Sequence, residues 1–148
     1  MTQDIDIVLP AERIEAFLRA AAVSGFQVVP STSGRWPKVA HKEPGIQVDI
    51  LPEGQRPGTP PDFAPTTIPR PSALGAAGPT LRFTSLPALI ELKLAAGRLK
   101  DQADVVELIR ANGQQIDNIR ERLTRVHAMY LAEFDRLIGQ AKRDDVQR

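Results

Sequence analysis

The chain is expected to adopt an α/β (α+β) fold class: a small mixed sheet with helices in the front half, then an all-helical C-terminal half. Three observations predict this. Strand-period alternation occurs twice in the front half, in Asp4-Ile5-Asp6-Ile7 and in Ile46-Gln47-Val48-Asp49-Ile50-Leu51. Apolar residues spaced by threes and fours dominate everything after Ser85. Between the halves, residues 52–79 are rich in Pro, Gly, Thr and Ala and keep no period, which reads as a long irregular excursion or partly disordered loop. The expected organisation is an α/β core over 1–51, a Pro/Gly-rich loop over 52–79, and a short strand with C-terminal helices over 80–148 that complete the same domain.

Each element has a local cause. A strand is expected from Gln3 to Leu9. Pro10 suits a helix's first turn, and Ile14, Phe17, Leu18, Ala21 and Ala22 form the stripe of a helix that Gly25 stops. Phe26–Val29 reads as a short strand, followed by a polar turn at residues 31–34. Lys38–His41 and Ile46–Leu51 are expected to pair as a hairpin, because Glu43-Pro44-Gly45 supplies turn chemistry between them. Leu81–Thr84 is one more candidate strand.

Ser85 reads as a helix N-cap with Pro87 in the first turn, and that helix breaks near Gly97. A second helix is expected over Lys100–Ala111, with Val105, Leu108 and Ile109 inward. A last helix from about Gln115 carries Ile116, Ile119, Leu123, Val126, Tyr130, Phe134, Leu137 and Ala141 on one stripe. At 3.6 residues per turn it spans roughly seven turns. That is more than a small front half needs, so the stripe reads as either a core face or a face for a helical partner or a second copy of the chain in a homodimer. The tail after Gln140 is expected to fray.

Composition narrows the function classes. The 148 residues suffice for one domain with a real core, and 19 Lys plus Arg against 18 Asp plus Glu leave a net charge of +1. No global field therefore favours nucleic acid. Cysteine is absent, which excludes disulfides, thiol catalysis and Cys-type zinc sites. His41 and His127 are isolated and attract no role, and Trp36 beside Pro37 reads as packing rather than a base-stacking platform. No apolar run reaches the length of a membrane span and no signal pattern opens the chain, so no membrane role and a cytoplasmic location are expected.

The chemistry-bearing residues are the strand carboxylates. Asp4 and Asp6 share one strand face, opposite Ile5 and Ile7, and Asp49 lies opposite Val48 and Ile50 on the second strand. If the strands are neighbours the three acids converge, and like charges so close persist only when a cation or donors offset them. Mg2+, held by one or two carboxylates plus substrate phosphates, fits that pattern. A lone Asp-X-Asp on a strand is more often a solvated face.

Thr2-Gln3-Asp4-Ile5-Asp6-Ile7, Val48-Asp49-Ile50-Leu51 and the run from Leu86 through Lys93 and Arg98 to Lys100-Asp101-Gln102-Ala103-Asp104 resemble the DNA polymerase beta-type nucleotidyltransferase superfamily. The likeness covers most of residues 2–110, apart from the Pro-rich stretch. It is greatest to small prokaryotic members, including those encoded as toxins in toxin–antitoxin pairs. The resemblance implies a metal-dependent transfer of a nucleoside monophosphate from an NTP to a hydroxyl on RNA, protein or a small molecule. It gives Asp4, Asp6 and Asp49 to catalysis and Mg2+ binding, Lys93 to the triphosphate, and an antitoxin-like protein as a possible partner. Arg98, Lys100, Asp101 and Asp104 read better as an ion-pair lattice, with Lys100 and Asp104 four residues apart.

One departure from the family is plain. Its members carry a Gly-Ser pair upstream of the Asp-X-Asp strand, where backbone N–H groups cradle phosphates. Only Met1, Thr2 and Gln3 precede Asp4, and Ser24-Gly25 and Ser33-Gly34 have the reverse order. The core is thus expected to be N-terminally truncated relative to the family: the cradle is lost, the true start lies upstream, or a second chain supplies it. Beside the enzyme stands a non-enzymatic dimerisation or partner-binding module on the same fold, and more remotely a metal-dependent nuclease.

Overall fold

Alternation along four short runs builds the sheet. The computed structural model describes residues 3–30, 35–43 and 45–147. The fold is mixed α+β and forms two compact units, Met1–Gln55 with Thr67–Ala73, and Arg56–Thr66 with Leu74–Arg148.

In the first unit, β1 (Gln3–Leu9) leads through a 3-10 turn at Ala11–Arg13 into α1 (Ile14–Val23), then β2 (Phe26–Val29), β3 (Lys38–His41) and β4 (Ile46–Pro52). The strand order is β1-β4-β3-β2. β1 runs parallel to β4, while β3 is antiparallel to both of its neighbours. The hairpin expected from residues 38–51 is present. The turn expected at 31–34 and Pro44 lie outside the described residues. Val39, Val48 and Ile50 are buried on the sheet face that α1 covers through Ala21. A shallow apolar hollow, lined by Phe17, Ala20, Phe26, Val39 and Val48 among others, remains between them. Residues 67–73 close the unit: Ile68 donates to the Gln55 carbonyl at 2.8 Å and accepts from Gly54 N–H at 2.9 Å.

The Pro-rich stretch is more built than its composition implies. β5 (Gly58–Thr59) and β6 (Asp62–Phe63) form a small hairpin, and a 3-10 turn occupies Pro71–Ala73. Pro52, Pro57, Ala64, Ile68 and Leu74 are buried, so apolar contacts hold what periodicity does not announce. The strand expected at Leu81–Thr84 is reduced to one bridge, Ala77 with Arg82. The chain is too tightly folded for more: a Cβ on Gly75 would stand 1.9 Å from the Phe83 carbonyl oxygen, so only glycine fits.

Helices make the rest of the second unit. The Ser85 side chain accepts from Ala88 N–H to cap α2 (Leu86–Ala96), which ends on Gly97 at φ 67°, a left-handed conformation that favours glycine. α3 (Leu99–Ala111) follows. The single long helix expected from Gln115 is instead two, α4 (Ile116–Val126) and α5 (Ala128–Val146). The break is at His127, which is extended at φ −165° and ψ 137° and whose ring accepts from Met129 N–H as the cap of α5. Each half then turns its stripe inward: Ile119, Leu123, Tyr130, Phe134, Leu137 and Ala141 join Ile90, Val105 and Ile109 in one core. Of the two readings of the stripe, the core face is the one the unit uses. The tail stays helical to Val146, with Arg110 between α3 and α5 paired to Asp144 at 2.9 Å and Asp145 at 3.3 Å.

Polar contacts fix the packing. Thr66 and Tyr130 hydroxyls are 2.7 Å apart, tying the β5–β6 segment to α5. Glu91, buried on α2, receives Arg122 of α4 at 2.7 Å. Phe134 is fully enclosed at the centre of the helices. Phe134→Ala is expected to destabilise the second unit by about 3–5 kcal/mol, measured as a lower urea midpoint followed by helical circular dichroism.

Candidate functional site

The pleat and the register together decide which charged side chains meet. On the sheet face opposite Val48 and Ile50, one lateral row runs across all four strands as Asp6, Asp49, Lys38 and Val29. The next row is Asp4, Gln47, Ala40 and Gln27. Adjacent strands lie about 4.8 Å apart, so Asp6 and Asp49 are direct lateral neighbours. Asp4 is two residues further along β1 on the same face, beside Gln47 rather than beside a second acid.

The three expected acids are thus brought to one face, and two of them into one row. Among the described residues no three His, Cys, Asp or Glu side chains gather into a group that could hold a metal ion. Asp6 and Asp49 are the two acids that the register sets side by side. Asp4 and Asp6 are exposed, while Asp49 is half-buried.

Lys38 was not among the expected site residues. Its Nζ lies 3.6 Å from Asp49 Oδ2, and its side chain is 16% exposed against 37% for Asp49. It therefore offsets part of the repulsion between the two carboxylates. The register that pairs Ala40 with Gln47 and Val39 with Val48 sets Lys38 opposite Asp49.

Lys93 belongs to the second unit and is held by acids there. Its Nζ donates to Asp104 Oδ2 at 2.7 Å and to Asp101 Oδ1 at 3.5 Å. Arg98 donates from Nε to Asp101 Oδ2 at 2.7 Å and from Nη2 to Oδ1 at 3.2 Å. The Arg98 backbone N–H also donates to Asp101, which closes the first turn of α3. The ion-pair lattice expected for residues 98–104 is therefore present, with Asp104 paired to Lys93 rather than to Lys100. Asp101, only 2% exposed, is its centre.

The lattice shifts both partners. Burial pulls the Lys93 pKa down, but the hydrogen bond and charge of Asp104, with those of Asp101, outweigh it and leave the ammonium above its ordinary range. Burial pushes Asp101 up, but Arg98 and then Lys93 outweigh that and hold the carboxyl below the usual carboxylate value. The isolated residues serve packing. His41 stacks edge-on against Phe26 with centroids 4.9 Å apart, and Arg35 lies over the Trp36 ring at 5.5 Å.

Comparison of the chain with protein-family models, curated proteins and solved structures gives no match. No helix among the described residues is long and apolar enough to cross a membrane.

A depressed carboxyl stabilises the fold above its unfolded pKa and loses that contribution as pH falls through its folded pKa. For Asp101 the loss begins below the ordinary aspartate value of about 3.9. Asp101→Asn is expected to cost about 1–3 kcal/mol at pH 7 and to flatten the fall of stability on acidification. Urea midpoints of both proteins at neutral and acid pH measure this.

Proposed function

We propose that this chain is a nucleotidyltransferase-like protein of the cytoplasm. In this reading it binds a magnesium–NTP complex on the polar face of its sheet and transfers the nucleoside monophosphate to a hydroxyl of RNA, protein or a small molecule. The observation that carries the reading is the lateral placement of Asp6 beside Asp49 on parallel β1 and β4, with Asp4 on the same face. The sequence resemblance adds to it. Asp6 and Asp49, with Asp4 alongside, would hold Mg2+, which neutralises charge on the leaving pyrophosphate. Transfer forms a bond from the acceptor oxygen to the α-phosphorus and breaks the bond from that phosphorus to pyrophosphate. Asp49 is the group to take the acceptor's hydroxyl proton.

A second reading, a non-catalytic binding module on the same fold, is favoured by a different observation. Asp49 already meets Lys38, and Lys93 is committed to Asp104 and Asp101. In that case the site takes nucleotide without transfer, or an antitoxin-like partner binds the protein for other reasons. A second copy of the chain is the other candidate partner. The apolar helical stripe does not supply that interface, because it is core.

Calorimetric titration with each NTP and Mg2+ is expected to show binding to the wild type that Asp6→Asn/Asp49→Asn abolishes. Equal binding by the double variant would reject the site. Magnesium-dependent transfer of label from an α-labelled NTP, lost in the same variant, separates the enzyme from the silent module.

A further inference from the structure

We propose that Lys38 is the phosphate-binding lysine of the acidic site, the role that sequence resemblance gives to Lys93. This rests on the reading of Asp6 and Asp49 as a magnesium–nucleotide site. Three observations carry it.

Position comes first. Lys38 is next in line after Asp6 and Asp49 in one lateral row, one strand from Asp49 and two from Asp6, and its ammonium lies 3.6 Å from Asp49 Oδ2. A polyphosphate with oxygens on a cation at that pair has Lys38 beside it. The second observation is how Lys38 is held. At 3.6 Å its contact with Asp49 is an ion pair but lies beyond the roughly 2.7–3.2 Å of an N–H···O hydrogen bond. Among the described residues, none of the three donors of this ammonium makes a hydrogen bond.

Covering a cation costs part of its solvation, and here the side chain is only 16% exposed. Anionic oxygens approaching the row would complete its shell, and a lysine acts on phosphate as a compact point charge. Asp49 holds the ammonium over the row until then. Lys93 is the contrast: a 2.7 Å hydrogen bond to Asp104 and a second contact to buried Asp101 already engage it. Moving it onto a phosphate would strand Asp101 and Asp104 with less countercharge.

The test uses the full chain and a base-independent probe, inorganic tripolyphosphate with Mg2+, beside Mg–ATP, both read by calorimetry. Lys38→Met is expected to weaken both by about tenfold or more. Lys38→Arg should restore most of the loss, and Lys42→Met, an exposed neighbour, should bind as the wild type does. Mn2+ alone should bind Lys38→Met at least as tightly as wild type, because an internal cation competing for Asp49 is gone; a purely structural role would not move that value in this direction. Thermal melts check folding, and Lys38→Gln gives the same comparison if the Met variant is unfolded. Wild-type affinity for tripolyphosphate in Lys38→Met and Lys38→Gln would overturn the assignment while leaving the acidic site standing. Absence of magnesium-dependent binding by the wild type would overturn the site and the assignment together.

Discussion

Two carboxylates on neighbouring strands of one sheet face repel each other, and the parallel pairing of β1 with β4 forces that arrangement on Asp6 and Asp49. The pleat leaves no alternative. Val48 and Ile50 are buried on the opposite face, so a slip of one residue would turn the acids into the core and the valine and isoleucine outward. Hydrophobic burial under α1 therefore fixes the register, and the register fixes the charged row. Lys38 follows from the same constraint, since the β3–β4 hairpin places it beside Asp49. One packing decision thus generates a face with two acids and a cation in line.

The second unit solves a different problem with charge. α2 and α3 are joined by a tight Gly97 turn, and their facing ends carry Lys93, Arg98, Asp101 and Asp104. A buried carboxylate such as Asp101 is tolerated only when hydrogen-bonded and paired, and it receives both Arg98 and Lys93. Glu91 with Arg122 repeats the device between α2 and α4. These pairs set helix against helix at defined positions, while the apolar core of Ile90, Phe134, Leu137 and their neighbours supplies most of the driving force.

Much of this was legible in the sequence because it depends on short-range periodicity. Alternation located β1 and β4, Gly25 and Gly97 marked helix ends, and Ser85 announced the start of α2. Long-range information was harder to read. His127 interrupts a stripe whose threes-and-fours spacing continues across it, so one helix was expected where two stand; nothing in a local window distinguishes a helix from a helix that folds back. The Pro-rich stretch hides its order for the converse reason, since Ile68 and Leu74 are anchored by burial rather than by any repeat. At the site, the residue types were legible but not their pairing. The row containing Asp6, Asp49 and Lys38 needs the register of three strands. The ion pairs of Lys93 were not legible because its acidic partners lie eight and eleven residues further along, across the Gly97 turn.

Whether the acidic row receives a cation is the claim on which the rest of the functional account turns. Paramagnetic broadening by Mn2+ in NMR spectra of the labelled chain addresses it directly. Asp6 and Asp49 signals are expected to broaden first, with Lys38 next and the Asp101–Asp104 turn of α3 unaffected, and excess Mg2+ to reverse the effect. Broadening confined to other acids, or no selective broadening at all, would contradict it.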